Sequence, residues 1–276
     1  MVAGSNRLST KIRKIILLIG FVSQSVFAQS SNIPLWDLAG DSWQDRHKVF
    51  KPGWFFSGDR LAYTGAGLMA VSIAFVNDGR WQNALYDPAY QQRWFLQNIA
   101  EPFGNPYVVA PLLIANHELA RILGKRSWQT ASQKAFSSMA WAATITFSLK
   151  LATHRQRPAE ALNPDPYRFD GPSFRLQNLS FPSGHTTIAF ATAVSLSLSL
   201  DRWYYTIPLL TLASATGYQR VVAGKHWPSD VFLGALIGSG VAYSVHRAPR
   251  QEGRLKAMLL PLGQGGLLFA LNWQFN

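Results

Sequence analysis

The sequence has no cysteine, and only 14 acidic residues stand against 26 basic ones among its 276. Missing thiols fit an oxidising compartment and remove the thiolate ligands of zinc sites. There is no His-x3-His pair and no carboxylate cluster of the kind a divalent cation needs. Internal repeats, low-complexity stretches and nucleic-acid-binding motifs are also absent. The formal net charge of +12 therefore points to phosphate-bearing molecules or an anionic membrane surface rather than to nucleic acid. Long hydrophobic runs are missing too. The uncharged segments 186–200, 203–218 and 231–245 hold about 15 residues each, against the roughly 20 that span a hydrocarbon core, and mean hydropathy is +0.01.

What the chain does have is cations and histidines in three ordered clusters. The first is Lys150-x6-Arg157-Pro158. The stretch 134–151 is rich in Ala, Ser, Thr and Leu and lacks Pro and Gly, so it reads as a helix. Because proline disfavours the α-conformation in the residue before it, that helix is expected to end near Arg157. Seven residues make almost two turns, which sets Lys150 and Arg157 on one face about 10 Å apart along the axis. The Arg is a planar two-pronged donor and the Lys a point charge, a pair suited to one phosphate. Taken alone, the cluster also fits a solvated basic helix end.

The second cluster, Pro182-Ser183-Gly184-His185, lies where a loop rich in Pro, Asp and Asn meets an apolar run. Ser183 is a natural N-cap, and the unsatisfied N–H groups of a helix start bind anions. Gly184 lets an oxygen approach its backbone, and His185 falls in the first turn. The third cluster is Arg220-x5-His226-x3-Asp230. Pro228 is favoured at the first position of a helix, so Asp230 belongs to the first turn with His226 just outside. A carboxylate that takes a hydrogen bond from one ring nitrogen leaves the other as a lone-pair nucleophile. Arg220 ends the preceding apolar helix, within reach of the same anion.

The order and spacing of the three clusters resemble those of the type 2 phosphatidic acid phosphatase (PAP2) superfamily, which also contains bacterial acid phosphatases and vanadium haloperoxidases. The likeness runs loosely from Gly67 to His246 and specifically from Lys150 to Asp230. It implies that Lys150, Arg157 and Arg220 bind phosphoryl oxygens, helped by the Ser183 hydroxyl and the Gly184 amide. It further implies that His226 becomes a phosphohistidine, that His185 protonates the leaving alcohol, and that Asp230 orients His226. No metal or cofactor is called for, because side-chain cations and amides stabilise the transferring phosphoryl group. One residue departs from the pattern: the third motif usually opens with Ser before its Arg, and here that place holds Gln219. His47, His117, His154 and His246 read as structural or exposed.

Residues 1–28 look like a signal peptide, with Arg7, Lys11, Arg13 and Lys14 ahead of a short apolar run and Val26-Phe27-Ala28 at the cleavage position. They carry 4 of the basic residues and no acidic one, which leaves +8 beyond them. Export to the periplasm, or to the periplasmic face of the cell membrane of a Gram-negative bacterium, is the expected location. A segment 29–59 then precedes a PAP2-like domain at 60–250 and a tail at 251–276. The expected fold is all-α, a six-helix bundle of the PAP2/haloperoxidase type with helices at 60–76, 106–123, 127–155, 185–200, 203–220 and 228–245. The tail is expected to be extended or a short β-hairpin.

The expected activity is metal-independent hydrolysis of phosphomonoesters or pyrophosphates of membrane lipids, among them phosphatidic acid, phosphatidylglycerophosphate, polyprenyl pyrophosphate and lipid A. Ten tryptophans, many near helix ends, suit a membrane interface. The alternatives are a soluble periplasmic non-specific acid phosphatase, a vanadium-dependent haloperoxidase, and a non-catalytic membrane-associated scaffold.

Overall fold

A computed structural model of the chain describes residues 59–160, 163–174 and 178–247, together with the backbone of 255–262 and 266–273. The expected signal peptide and nearly all of the segment after it lie outside these residues. Helix α1 (Asp59–Val76) turns by 74° into α2 (Asp78–Leu85). Short helical turns follow at Tyr90–Gln92, Leu96–Ala100 and Glu101–Phe103. Helix α3 (Pro106–Ile122) has proline at its first position, and its Asn105 cap accepts the Tyr107 N–H at 2.9 Å.

Helix α4 (Arg126–Thr153) has 28 residues and is about 42 Å long. It stops earlier than the spacing of the first cluster suggests. His154 adopts the left-handed conformation (φ 48°) and its N–H caps the Lys150 carbonyl. Arg155, Gln156 and Arg157 therefore belong to the loop after the helix, and Lys150 and Arg157 do not share a helix face.

Helix α5 (Gly184–Leu200) is central, packing against α4, against α6 (Trp203–Val222) and against α7 (Pro228–Arg247). Its Thr186, Thr187, Ala189, Ala191, Ala193 and Ser195 are buried, and small side chains on several faces are what let three neighbours approach. The closest approach is to α7. A Cβ at Gly234 would lie 2.7 Å from the Ser183 carbonyl oxygen, and one at Gly238 would lie 2.8 Å from the Ala191 nitrogen and collide with the Thr187 carbonyl. A small residue on successive turns thus brings two backbones into contact. Apolar clusters fill the remaining space: Ala142, Ala191, Val241 and Val245 between α4, α5 and α7, and Val109, Leu113, Met139 and Ile188 between α3, α4 and α5.

All six expected helices are present, with α2 and the short turns added. The tail is a hairpin, β1 (Leu255–Leu262) pairing antiparallel with β2 (Gly266–Trp273). Among the described residues no single helix is long and apolar enough to cross a membrane, although α1 and α2 together have the length and composition of a broken span.

Candidate active site

Main-chain hydrogen bonds stitch the three clusters together. The Ser180 N–H donates to the Arg155 carbonyl at 3.0 Å, the Ser183 N–H to the Asp230 carbonyl at 2.9 Å, and the Ala159 N–H to the Gly224 carbonyl at 2.9 Å. Each loop thereby satisfies its buried polar groups on another loop. The second and third clusters fold as their residue types dictate. Ser183 is the α5 N-cap, its hydroxyl facing the Thr186 N–H at 3.5 Å and the Thr186 hydroxyl at 2.9 Å, and His185 lies in the first turn. Pro228 opens α7 with Asp230 in its first turn.

His226 is almost wholly buried, and its Nδ1 lies 2.7 Å from the Ser180 carbonyl oxygen. A carbonyl only accepts, so Nδ1 carries the proton and Nε2 holds the lone pair. Asp230 Oδ2 is 3.7 Å from Nδ1, an ion-pair distance rather than a hydrogen bond. The orienting acceptor in this geometry is the Ser180 carbonyl, with the Asp230 carboxylate beside it. That carboxylate is itself held by the Ser180 hydroxyl at 2.5 Å and the Trp227 N–H at 2.9 Å.

Arg155, a spacer residue within the first cluster, anchors the same carboxylate. It has no exposed surface. Its Nη1 donates to Asp230 Oδ1 at 2.6 Å and to the Ser229 hydroxyl at 2.8 Å; its Nη2 donates to Asp78 Oδ2 at 2.6 Å and to the Pro166 carbonyl at 2.5 Å. The rings of Phe75, Phe169, Phe181 and Trp227 surround the guanidinium within 6 Å. Asp78 also accepts the Ser229 N–H at 2.8 Å and the Ser229 hydroxyl at 2.5 Å. Burial works to raise the Asp230 carboxyl, but His226, Arg155 and the Ser180 hydroxyl outweigh it and hold the group below the usual carboxylate range.

The cations converge on the histidines. Lys150 Nζ donates to the Leu179 carbonyl and, at 3.3 Å, to the Ser180 carbonyl; a Cβ on Gly184 would meet its Cε at 3.7 Å. Burial, with Arg157 and Arg220 nearby, pushes the Lys150 ammonium down to about 7 against the pull of Asp230. Burial first, then Arg220, Lys150 and Arg157, push His185 down to about 3. Burial likewise drives His226 well below its ordinary value, and Lys150 and Arg220 add to it. Lys150, Arg157 and Arg220 all place positive charge around the His185 imidazole. The pocket thus pairs a neutral, buried imidazole bearing a lone pair with positive charge around it, which suits attack on an electrophile carrying negative oxygens.

The other expected assignments divide. His117 is buried, with Nδ1 3.1 Å from Glu118 and Nε2 3.3 Å from Gln129. His154 is buried, and neither of its ring nitrogens has a hydrogen-bond partner among the described residues. His246 is partly buried near the end of α7, and His47 lies outside the described residues. No group of three or more His, Asp and Glu side chains is placed to hold a metal ion among the described residues.

Residues 133–254 match the family model described as "PAP2 superfamily". Lipid A 1-phosphatase of Porphyromonas gingivalis is 36% identical over 105 residues, 31% of this chain and 23% of that protein. Undecaprenyl-diphosphatase of Sulfolobus acidocaldarius is 35% identical over 82 residues, 28% of this chain and 39% of that protein. The non-specific acid phosphatase of Providencia stuartii is 33% identical over 84 residues, 29% of this chain and 32% of that protein. The chain thus spans between 23% and 39% of the length of these relatives.

Proposed function

Residues 133–254 match the PAP2 superfamily model, and from that premise we propose that the protein is a phosphatase acting on phosphomonoesters or pyrophosphates of membrane lipids through phospho-His226. The observation that carries the proposal is the buried His226 whose Nδ1 lies 2.7 Å from the Ser180 carbonyl, leaving Nε2 unprotonated, in a site where Lys150, Arg157 and Arg220 all lower His185 electrostatically. The phosphatase domain extends over 60–250.

In the first half-reaction the three cations, the Ser183 hydroxyl and the Gly184 N–H bind the phosphoryl oxygens. His226 Nε2 attacks phosphorus in line with the leaving oxygen. The N–P bond forms as the P–O bond breaks, and His185 delivers its proton to the departing oxygen. Positive charge then spreads over the His226 ring, where the Ser180 carbonyl and the Asp230 carboxylate stabilise it. In the second half-reaction His185 takes a proton from water. The resulting hydroxide breaks the N–P bond, releases inorganic phosphate and restores neutral His226. His185 must therefore be protonated once substrate is bound, and the negative charge of the phosphate, offsetting the pocket cations, raises it.

A membrane-lipid substrate is supported by two observations. Two of the relatives above are named for lipid phosphates. Large apolar side chains including Leu61, Met69, Leu112, Leu119, Ile122 and Trp203 are exposed on the helices, more than an aqueous surface favours. The proposed location is the periplasmic side of the cell membrane, after removal of residues 1–28. A soluble acid phosphatase is the second reading, favoured by the acid phosphatase relative.

The test is phosphate release, in detergent and without divalent ions, from phosphatidic acid, phosphatidylglycerophosphate, a polyprenyl pyrophosphate, lipid A and p-nitrophenyl phosphate, by wild type and His226→Ala. The proposal expects turnover of at least one lipid by wild type alone. Preference for p-nitrophenyl phosphate over every lipid, by a protein that fractionates as soluble, would favour the second reading.

A further inference from the structure

The turn Glu101–Phe103, which precedes α3 and lies outside residues 133–254, makes contacts to the pocket that neither the three clusters nor the family match includes. Glu101 Oε1 accepts from Arg220 Nη1 at 3.1 Å. Gln219, which stands where serine is usual, lies between the two. Its Nε2 is 3.4 Å from Glu101 Oε2 and its Oε1 is 3.3 Å from Arg220 Nη1. The same guanidinium keeps its Nε buried and without a hydrogen-bond partner among the described residues. One edge of Arg220 is thus held by a carboxylate and an amide, while an N–H on another edge remains to be used.

The turn itself is anchored on both sides. The Thr216 hydroxyl donates to the Ala100 carbonyl at 2.6 Å, one helical turn before Arg220 on α6. Gly104 closes against His185 so tightly that a Cβ there would lie 2.7 Å from the His185 carbonyl oxygen and 2.8 Å from its Cβ. Movement of this segment would displace a phosphate-binding arginine and the proton-donating histidine together.

We propose that Glu101 is a positioning residue, which with Gln219 fixes Arg220 so that its unpartnered N–H faces the substrate phosphoryl group. This deepens the phosphatase reading and rests on it. A guanidinium has five N–H donors in a rigid fork, so pinning Nη1 sets the direction of the remaining ones. Glu101 therefore acts through Arg220 and not on the substrate. The carboxylate is about one-third exposed at the pocket edge (35%), so its replacement removes an orienting contact without opening a core cavity.

The experiment compares wild type, Glu101→Ala, Glu101→Gln, Arg220→Ala and Glu101→Ala/Arg220→Ala, using orthovanadate as the probe of phosphoryl binding and p-nitrophenyl phosphate and phosphatidic acid for turnover. Glu101→Ala is expected to weaken vanadate binding and lower kcat/KM about 10- to 100-fold, the effect of losing one hydrogen bond to a charged group, with unchanged thermal stability. Glu101→Gln keeps an oxygen that accepts from Nη1 and is expected to recover most of the loss. In the Arg220→Ala background the Glu101→Ala change is expected to have no further effect on vanadate binding. A Glu101→Ala protein that binds vanadate as wild type does, or the same additional loss with Arg220 already removed, would overturn the proposal. A wild type that neither releases phosphate nor binds vanadate would instead overturn the phosphatase reading, and the proposal with it.

Discussion

Arg155 Nη1 lies 2.6 Å from Asp230 Oδ1, and neither side chain has any exposed surface. The second arm of the same guanidinium lies 2.6 Å from Asp78, equally buried. A lone buried charge costs several kcal/mol, and two carboxylates around one guanidinium satisfy each other only if all three stay in place. The triad joins the start of α2, the loop after α4 and the first turn of α7.

Removing the centre of that triad is therefore expected to be costly. Arg155→Ala should destabilise the fold by about 3–5 kcal/mol, read from denaturant unfolding in detergent. Asp78 and Asp230 would be left facing each other's charge. Unfolding at the wild-type denaturant concentration would show that the buried pair contributes nothing.

Backbone contact between α5 and α7 leads to a second expectation. Gly238→Ala places a methyl against the Thr187 carbonyl and within 2.8 Å of the Ala191 nitrogen. Main chain cannot step aside as a side chain would, so the substitution should cost about 1–3 kcal/mol. Gly65→Ala, where an added Cβ meets nothing within 4 Å, should cost no stability and is the control. Equal melting temperatures for the two variants would contradict the close packing described.

In the proposed mechanism Lys150 sets the pH dependence. Its ammonium is pushed down to about 7 by burial first and by Arg157 and Arg220 next. Phosphate binding needs the charged form, so kcat/KM should fall as pH rises through about 7. The Lys150→Met variant should lose that limb along with most of its activity. Stability has the opposite slope. The folded form releases this proton more readily than the unfolded chain, so the cost of burying the charge is fully present below about 7 and is relieved as pH rises toward 10.5. A kcat/KM profile flat from pH 6 to 9 on wild type (an assay window on the order of the shift just described) would rule out this role for Lys150.

How far the site could be read from the residues follows from the range of the interactions. Ser183 as N-cap, Pro228 at the first helical position and Asp230 one turn after His226 are local rules, and each is seen in the structure. The end of α4 was not legible, because nothing in the local composition marks His154 for the left-handed conformation that stops the helix. Arg155 resembled spacer because its acceptor Asp78 is 77 residues away in sequence. Glu101 carries no local signal for the same reason, lying 119 positions from Arg220 in sequence. The Ser180 carbonyl that orients His226 is a backbone group, to which no residue type points.

The central claim is that phosphorus passes through His226, and the most direct measurement is a rapid-quench experiment. Wild type is mixed with substrate, stopped in alkali within its first turnovers, digested and analysed by mass spectrometry. The account predicts one phosphoryl group on the peptide containing His226, labile to acid and stable to base, and none in His226→Gln, with steady-state turnover lost by at least about a thousandfold in that variant. Full phosphate release by His226→Gln, or a phosphoryl group found only on another residue of an active wild type, would contradict it.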